Sequence, residues 1–442
     1  MKENVLKKIT VVLLILILAA SSFTAGFFVR KLTQGAGLSS YEWFTKTIDK
    51  YYYFGDTDGD FTSGSLKEIA DKYLDRYSEY YTAAEYESIL KSNSGAKSGL
   101  GVSYAFVDGK GVYVSSVVGN SPAYISGLRA GDWLERGRAE GGEQVDFTSA
   151  KNFSDLINSV SDGRELTFTS IEGTEYSMSK SEYTASYVAM STASTSWRFG
   201  DAETGGLALY EDAQGKMSFL PEGAAYMKLS QFYGTAPREF YVLVEKFNAM
   251  QCKSLILDLR SNGGGYVSVM QDIAGAFSGG GKKLAMLARD KRGGQEKYYC
   301  AEVEREYRIP ADTEIYVLAN SGTASASEAL IGALVCYGVL DYENIFLSDY
   351  SDEYTDWLKS TGQEVKTRQT FGKGIMQSTF INNSTKEALK LTTAQIYWPD
   401  GKTCIHDRGV TEEDGCTIVK AEWQHTRDDG ELRAVAEIIK SR

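Results

Sequence analysis

The chain has 442 residues, of which 43% are hydrophobic and 12% aromatic. A chain of this length and composition predicts two or three globular domains and excludes an intrinsically disordered protein. The formal net charge of -12 and the lack of Lys/Arg clusters argue against nucleic acid as the main partner.

The first local signal is an uncharged, mostly apolar stretch at residues 9–29. It is long enough to cross a bilayer, so residues 1–31 are predicted to be a single-pass membrane anchor. Lysines precede the stretch, which favours an extracytoplasmic location for the rest of the chain. A cleaved signal peptide, which would give a secreted protein, is the alternative, because small residues such as Ala19, Ala20 and Ala25 occur within the stretch.

Residues 38–90 carry helical periodicity rich in aromatic side chains. They are predicted to form a helical N-terminal segment, shaped as a stalk or arm. After it, short β runs separated by glycines predict a small β-rich domain at residues 91–182, with one helix at Phe153–Ser159.

The β-rich domain opens with the loop Gly99, Leu100, Gly101 and Val102. Its glycines allow backbone N–H groups to converge on a terminal carboxylate, and the strand beside it can pair with an extended peptide. The same four residues also fit a plain hairpin loop in which the glycines only supply positive φ angles. The loop alone favours the plain hairpin, whereas the segment SPAYISGLRAGD that follows it favours the peptide-binding interpretation.

Residues 183–442 are predicted to be a separate α/β core, although residues 181–221 show no clear pattern. From Gly223 onward strands alternate with helices, which is typical of a parallel-rich sheet. The expected elements are a strand at Ala224–Leu229, a helix at Pro237–Met250, a strand at Ser254–Leu259, a helix at Val267–Phe277, a strand at Glu314–Ala319 and a helix at Glu328–Cys336.

Two residues of this core have catalytic potential. Ser325 lies between a strand and a helix, where free N–H groups and the helix dipole favour negative charge. The segment from Ser325 to Glu328 fits a capping box equally well. Lys373 lies between glycines and before apolar residues; if it is desolvated, its pKa falls and it can accept a proton from a serine. A solvated lysine in a surface turn is the alternative.

A third motif is the buried strand that ends in Ser261-Asn262-Gly263-Gly264-Gly265. Backbone N–H groups in such a turn can point at an oxyanion. Nucleotide binding is disfavoured, because the chain has neither GxxxxGK[ST] nor GxGxxG.

The five cysteines are odd in number and scattered, and they form no CxxC or Cys/His ligand pattern. The sequence therefore predicts no metal site and no cofactor. A disulfide between Cys404 and Cys416 stays open.

Taken together, the motifs LILDLRSNGGG, TASASEALIGAL, FGKGIMQ and YWPDG resemble the carboxyl-terminal processing peptidases, also called tail-specific serine proteases. The order GLGV, strand, NSPAYISGLRAGD, strand, helix resembles a PDZ domain. The resemblance implies that Ser325 is the nucleophile, that Lys373 is the general base, and that Gln377 supports it. It also implies an oxyanion hole at the N–H groups of Gly264 and Ala326, and a crotonase/ClpP-like α/β core.

The resulting hypothesis is a membrane-anchored, extracytoplasmic serine endopeptidase that recognises substrates by their C-terminal tails at the loop 99–102. Its expected partners are protein or peptide substrates, the membrane through residues 9–29, and a further copy of itself in a homo-oligomer. The alternative from another class is a catalytically silent PDZ scaffold on a protease-like core. Acyl-CoA chemistry on a crotonase-like core is a third, weaker interpretation.

The sequence departs from the family pattern in three places. Gly263 stands where proline is common, which could loosen the oxyanion turn. The separation of Ser325 and Lys373 is longer than usual, and the excess is predicted to be an insertion at residues 342–368 in the form of a surface lid, docking site or inert loop. The stretch Trp197–Leu220 is also long and could add a hairpin.

Overall fold

The computed structural model describes residues 39–55, 64–202, 206–212, 215–360, 365–421 and 429–441. The predicted membrane anchor at residues 9–29 lies outside the described residues. Within the described ranges, no helix is both long enough and apolar enough to span a bilayer.

The N-terminal segment contains short helices that begin at strong caps. Ser39, Ser65 and Thr82 each accept a hydrogen bond from the backbone N–H of a glutamate three residues later, whose side chain bonds back to the cap. The elements are α1 (Ser40–Tyr51), α2 (Leu66–Tyr73), β1 (Glu79–Tyr81) and α3 (Ala83–Asn93).

The expectation of a helical stalk is wrong. Trp43 and Phe44 of α1 lie in one buried cluster with Leu389 and Leu391 of the core, and β1 pairs with the core strand that contains them. Burial of these aromatic side chains fixes the segment against the core, because their exposure on a free arm would be costly.

The β-rich domain is a six-stranded sheet with its own hydrophobic core. The strand order is β3-β4-β5-β7-β8, with β6 paired to β5. Its helix α5 begins three residues before the predicted one, because Ser149 caps it. The elements are β2 (Ala96–Gly99), β3 (Val102–Val107), β4 (Gly111–Val117), α4 (Pro122–Ile125), β5 (Trp133–Ala139), β6 (Val145–Asp146), α5 (Ala150–Asn158), β7 (Glu165–Ser170) and β8 (Glu175–Ser179).

The rest of the chain supplies two further large sheets with helices between and beside them, and Ser181–Thr184 pairs with β2 in a separate two-stranded sheet. The strands are β9 (Ser181–Thr184), β10 (Val188–Thr192), β11 (Ser196–Asp201), β12 (Leu207–Glu211), β13 (Ala224–Leu229), β14 (Ser254–Asp258), β15 (Leu284–Asp290), β16 (Gln295–Tyr299), β17 (Glu314–Ala319), β18 (Ile345–Tyr350), β19 (Ile375–Ile381), β20 (Ala388–Tyr397) and β21 (Thr417–Ala421). The helices are α6 (Ala236–Ala249), α7 (Val267–Gly275), α8 (Ala326–Tyr337), α9 (Asp352–Ser360) and α10 (Gly430–Ser441).

The larger of these sheets has the order β12-β11-β10-β13-β14-β17-β18-β21, and its strands from β13 to β21 are parallel. The smaller sheet has the order β1-β20-β15-β16, with β19 paired to β20. Helices α6, α7 and α8 share one core with both sheets, and α10 covers the other face of the larger sheet. The predicted α/β layer is present, and β11 and β12 form the hairpin expected within Trp197–Leu220.

The range 342–368, predicted to be an insertion, contains a strand of the core. Its β18 is a parallel strand inside the larger sheet, with Ile345, Phe346 and Leu347 buried. The strand was missed because only three apolar residues precede the polar end of β18. Helix α9 lies in the same range, and its Trp357 packs edge-on against Tyr113 of the β-rich domain, with 5.1 Å between ring centroids.

Candidate active site

Ser325 lies in the turn between β17 and α8. Because β14 and β17 are parallel neighbours, the turns that follow them lie side by side. Asn320 joins these turns, since its Oδ1 accepts the N–H of Ser261 at 2.8 Å and that of Gly322 at 3.0 Å. Ser325 itself has φ 57° and ψ -113°, a conformation that serine rarely adopts and that stores on the order of 1–3 kcal/mol. The nucleophile candidate is thus held in a strained turn at a helix N-terminus.

Glu328 connects the Ser325 turn to the Lys373 loop. Its carboxylate is fully buried, and its Oε2 accepts the backbone N–H of Ser325 at 2.9 Å and that of Lys373 at 2.9 Å. Its Oε1 accepts the N–H of Gly372 at 2.8 Å and the hydroxyl of Thr370 at 2.6 Å. Burial raises the pKa of Glu328, while these four hydrogen bonds oppose the shift. The sequence indicated only a helix cap here, yet the same carboxylate sets the relative position of both catalytic candidates.

Lys373 is partly buried beside an aromatic ring. Its Nζ lies 4.6 Å from the ring centroid of Tyr77, which comes from the N-terminal segment. Burial, followed by the charge of Lys390, lowers the pKa of Lys373 to about 8, although Asp75 and Glu328 act in the opposite direction. A large part of Lys373 is therefore neutral in mildly alkaline solution, as a proton acceptor must be.

Ser325 and Lys373 are connected through Glu328, which accepts the backbone N–H of each, and not by a direct bond between their side chains. In the described part of the chain, no hydrogen bond joins Ser325 Oγ to Lys373 Nζ. Such contacts are often loose without substrate and tighten in the reacting complex.

Gln377 lies on β19 directly opposite Thr392 of β20. Its Nε2 donates to Thr392 Oγ1 at 3.1 Å. The predicted support of Lys373 by Gln377 is not a hydrogen bond in the described residues, since the amide donor is directed at Thr392.

Of the two N–H groups that were expected to form an oxyanion hole, one already has an acceptor. Gly264 has φ 96°, and a Cβ added to it would lie 2.9 Å from Ala326 N and 3.0 Å from Ser325 Cβ, so only glycine fits beside the nucleophile turn. The Gly264 N–H, however, donates to Asn262 Oδ1 at 2.9 Å. The N–H of Ala326 is at the first position of α8 and has no acceptor within that helix. The role of Asn262 was missed, although asparagine two residues before a turn glycine is typical of such a bond.

An ion-pair network lies directly before the turn at residues 261–265. Arg260 bonds both oxygens of Asp258 and both oxygens of Asp429, and also contacts Glu431 at 3.1 Å. Although burial acts to raise it, the charges of Arg260 and Lys228 hold the pKa of Asp258 well below its usual range. The network ties the C-terminal helix to the residue just before the turn, and sequence spacing gave no sign of it.

The four predicted tail-binding residues, Gly99 to Val102, line one groove of about 390 Å³. Val118 and Ile157 add apolar walls, and Lys180 adds a positive charge at the groove. The groove therefore offers apolar surface and a cation beside a loop that contains two glycines.

Among the described residues there is neither a disulfide nor a candidate metal cluster. All five cysteines are free thiols, so Cys404 and Cys416 are not bridged. Across the described residues, no group of three or more His, Cys, Asp and Glu side chains is placed to hold a metal ion.

Comparison with known proteins gives a consistent match. Residues 223–339 match peptidase family S41, a range that includes Ser325 but ends before Lys373. A probable CtpA-like serine protease of Staphylococcus epidermidis is 24% identical over 383 residues, which are 85% of this chain and 65% of that protein. A probable CtpA-like serine protease of Staphylococcus aureus is 24% identical over 408 residues, covering 90% of this chain and 69% of that protein.

Among solved structures, one assigned to the S41 proteases, from Bacteroides fragilis, superposes with a TM-score of 0.58 at 14% identity. The match covers 92% of this chain and 99% of that chain. At this identity the likeness concerns the fold.

Proposed function

We propose that this chain, which belongs to the carboxyl-terminal processing peptidases of family S41, is a serine endopeptidase that works through an acyl-enzyme on Ser325. The single observation that carries the proposal is the Glu328 carboxylate, which accepts the backbone N–H groups of both Ser325 and Lys373. A buried carboxylate shared in this way holds a nucleophile and a base of lowered pKa side by side. We also assign the core to the crotonase/ClpP-like α/β class, because its parallel strands carry helices on both faces.

In the proposed reaction, Ser325 Oγ attacks the carbonyl carbon of the scissile bond as its proton passes to the neutral amine of Lys373. The N–H of Ala326, at the positive end of α8, stabilises the oxyanion. The Gly264 N–H gives up its hydrogen bond to Asn262 and becomes the second donor to the oxyanion. The Lys373 ammonium protonates the leaving amine. A water then attacks the ester as it gives a proton to Lys373, and Lys373 returns that proton to Ser325 Oγ as the carboxylic acid product leaves.

Mass spectrometry can test this reaction directly. The full-length protein is incubated with an unfolded protein that ends in an apolar tail, and the products are identified. A fluorophosphonate probe, which labels activated serines, is applied in parallel and its site is mapped. We expect new peptide termini and a label on Ser325 that stops cleavage. Label on another serine, or cleavage that continues after full labelling, would contradict the assignment; binding without cleavage or label would favour the silent scaffold.

The groove at residues 99–102 is proposed to bind the C-terminal tails of substrates. Its backbone would hold the terminal carboxylate, Lys180 would add an attractive charge, and Ile157 would contact the last apolar side chain. The proposal places substrate selection in the β-rich domain and chemistry in the core.

Ile157→Asp is therefore expected to raise KM for a tailed substrate by about tenfold, since it places a negative charge in the groove that must hold a carboxylate. Cleavage of a short peptide that lacks the tail should not change. Ile125→Asp is the matched control, because Ile125 is 66% exposed and lies outside the groove. Steady-state kinetics with both substrates measure the effect. An equal rise of KM in both variants would contradict the assignment of the groove as the tail-binding site.

Residues 9–29 are proposed to anchor the protein, with the catalytic body outside the cytoplasm. The support is the apolar length of the stretch and the lysines before it. Digestion of intact cells by an added protease measures this: a catalytic body that resists digestion until the cells are opened would contradict the proposed orientation.

A further inference from the structure

The N-terminal turn at residues 75–78 reaches the catalytic residues of the core. Asp75 Oδ2 accepts the hydroxyl of Ser78 at 2.6 Å, and Asp75 Oδ1 accepts the N–H of Tyr77 at 2.9 Å. The Ser78 hydroxyl in turn accepts the backbone N–H of Thr392 at 2.9 Å. The carboxylate of Asp75 is thus fixed by its own turn and held against strand β20.

The hydroxyl of Thr392 connects Asp75 to Gln377. This hydroxyl is buried; it donates to Asp75 Oδ1 at 3.1 Å and accepts Gln377 Nε2 at 3.1 Å. A hydroxyl has one proton, and a carboxylate can only accept. Because the Thr392 hydroxyl donates its proton to Asp75, it can only accept a hydrogen bond from Gln377. The Gln377 amide must therefore direct its nitrogen, and not its oxygen, toward Thr392. The oxygen of that amide is then left for another donor, and a lysine ammonium is such a donor.

The same turn also covers the base. Tyr77 follows Asp75 by two residues, and its ring lies 4.6 Å from Lys373 Nζ. The charged groups that act on Lys373 are Asp75 and Arg76 from this turn, Glu328 from α8 and Lys390 from β20. One turn of the N-terminal segment therefore affects both the orientation of Gln377 and the environment of Lys373.

We propose that Asp75 and Thr392 are positioning residues of the active site, which fix the amide of Gln377 so that its oxygen faces the ammonium formed on Lys373. This inference rests on the proposed peptidase function. It extends the catalytic machinery from the core to a segment in front of the β-rich domain.

The test is a set of kinetic variants of the full-length protein. Thr392→Val, which keeps the shape but removes the hydroxyl, is expected to lower kcat about tenfold with little change in KM. Thr392→Ser should restore kcat to within about twofold. Gln377→Ala should lower kcat about as much as Thr392→Val does, and the double variant should be no worse than either. The reason is that both changes break the same chain of hydrogen bonds from Asp75 through Thr392 to Gln377, which we call the relay.

Asp75→Asn gives an independent readout. Removal of its charge favours the neutral amine, so the midpoint of the pH–rate profile should move to lower pH, while kcat falls because the relay loses its fixed direction. Asp71→Asn is the matched control, since Asp71 is exposed on α2. An unmoved midpoint, additive losses in the double variant, or no rescue by Thr392→Ser would overturn the inference.

The outcome can be separated from failure of the peptidase proposal. Ser325→Ala is assayed beside the parent, and the rate of labelling by a fluorophosphonate is recorded with turnover. Loss of cleavage in Ser325→Ala with unchanged kinetics in Thr392→Val would reject the relay and keep the peptidase. If the parent does not cleave, the labelling rate of Thr392→Val against Thr392→Ser decides the relay by itself, and thermal unfolding identifies any variant that has not folded.

Discussion

Replacing Ser325 with alanine or Lys373 with methionine is expected to lower kcat/KM for a tailed protein substrate by about a thousandfold or more. Alanine removes the oxygen that forms the ester, and methionine removes the proton acceptor while keeping a similar apolar length. Because the two residues act in one step, the double variant should lose about as much as either single variant. Fragment release followed by mass spectrometry measures all three rates.

Lys253→Met is the matched control for charge removal, because Lys253 is 67% exposed and pairs with Asp312 at the surface. It should keep the parent rate. Losses that multiply in the double variant would mean that Ser325 and Lys373 do not share a step. Circular dichroism of each variant verifies that the fold is intact.

The pH profile of the parent follows from the same chemistry. Lys373 accepts a proton only as the neutral amine, so kcat/KM should rise with pH and level off above a midpoint of about 8. Lys390→Met removes the neighbouring charge that helps to lower the pKa of Lys373, so its midpoint should move to higher pH. A flat profile in the parent between neutral and alkaline pH would contradict a lysine base.

The parts of this fold that could be predicted from sequence are those in which the signal is local. Strands β13 and β17 have the predicted bounds, because each is a buried apolar run between a turn and a polar residue. The predicted helices α6 and α7 are also present, within one or two residues. Strand β18 was missed because its second half is polar and only the pairing with β17 and β21 makes it a strand.

The candidate site residues could be named from the sequence, but the contacts that connect them could not. Ser325, Lys373 and Gln377 lie in motifs that can be recognised along the chain. Glu328 was interpreted as a helix cap because the capping-box pattern relates it only to Ser325. Its other hydrogen-bond donors belong to residues 370–373, which are distant in sequence. Asp75 reaches Thr392 from the other end of the chain. Such contacts depend on how the sheets pack, and spacing in the sequence does not contain that information.

Glu328→Gln is expected to reduce both stability and catalysis. The carboxylate accepts four hydrogen bonds from donors, and an amide nitrogen in its place would face N–H groups and leave at least one buried donor unpaired. We expect the free energy of unfolding to fall by about 1–3 kcal/mol. The kcat of the remaining folded protein should fall by about a hundredfold, since Ser325 and Lys373 lose their common anchor. Urea unfolding and kinetics measure the two effects.

Glu239 separates these effects, because it is as buried as Glu328 and also accepts four hydrogen bonds, from Ser186, Tyr187, Val188 and Thr235. Burial raises the pKa of both carboxyl groups. Glu239→Gln should therefore destabilise the protein by a similar amount, but it touches neither catalytic candidate and should keep kcat within about twofold. If both variants lose catalysis equally, Glu328 only supports the fold; if only Glu328→Gln loses it, the shared carboxylate is what aligns the nucleophile with its base.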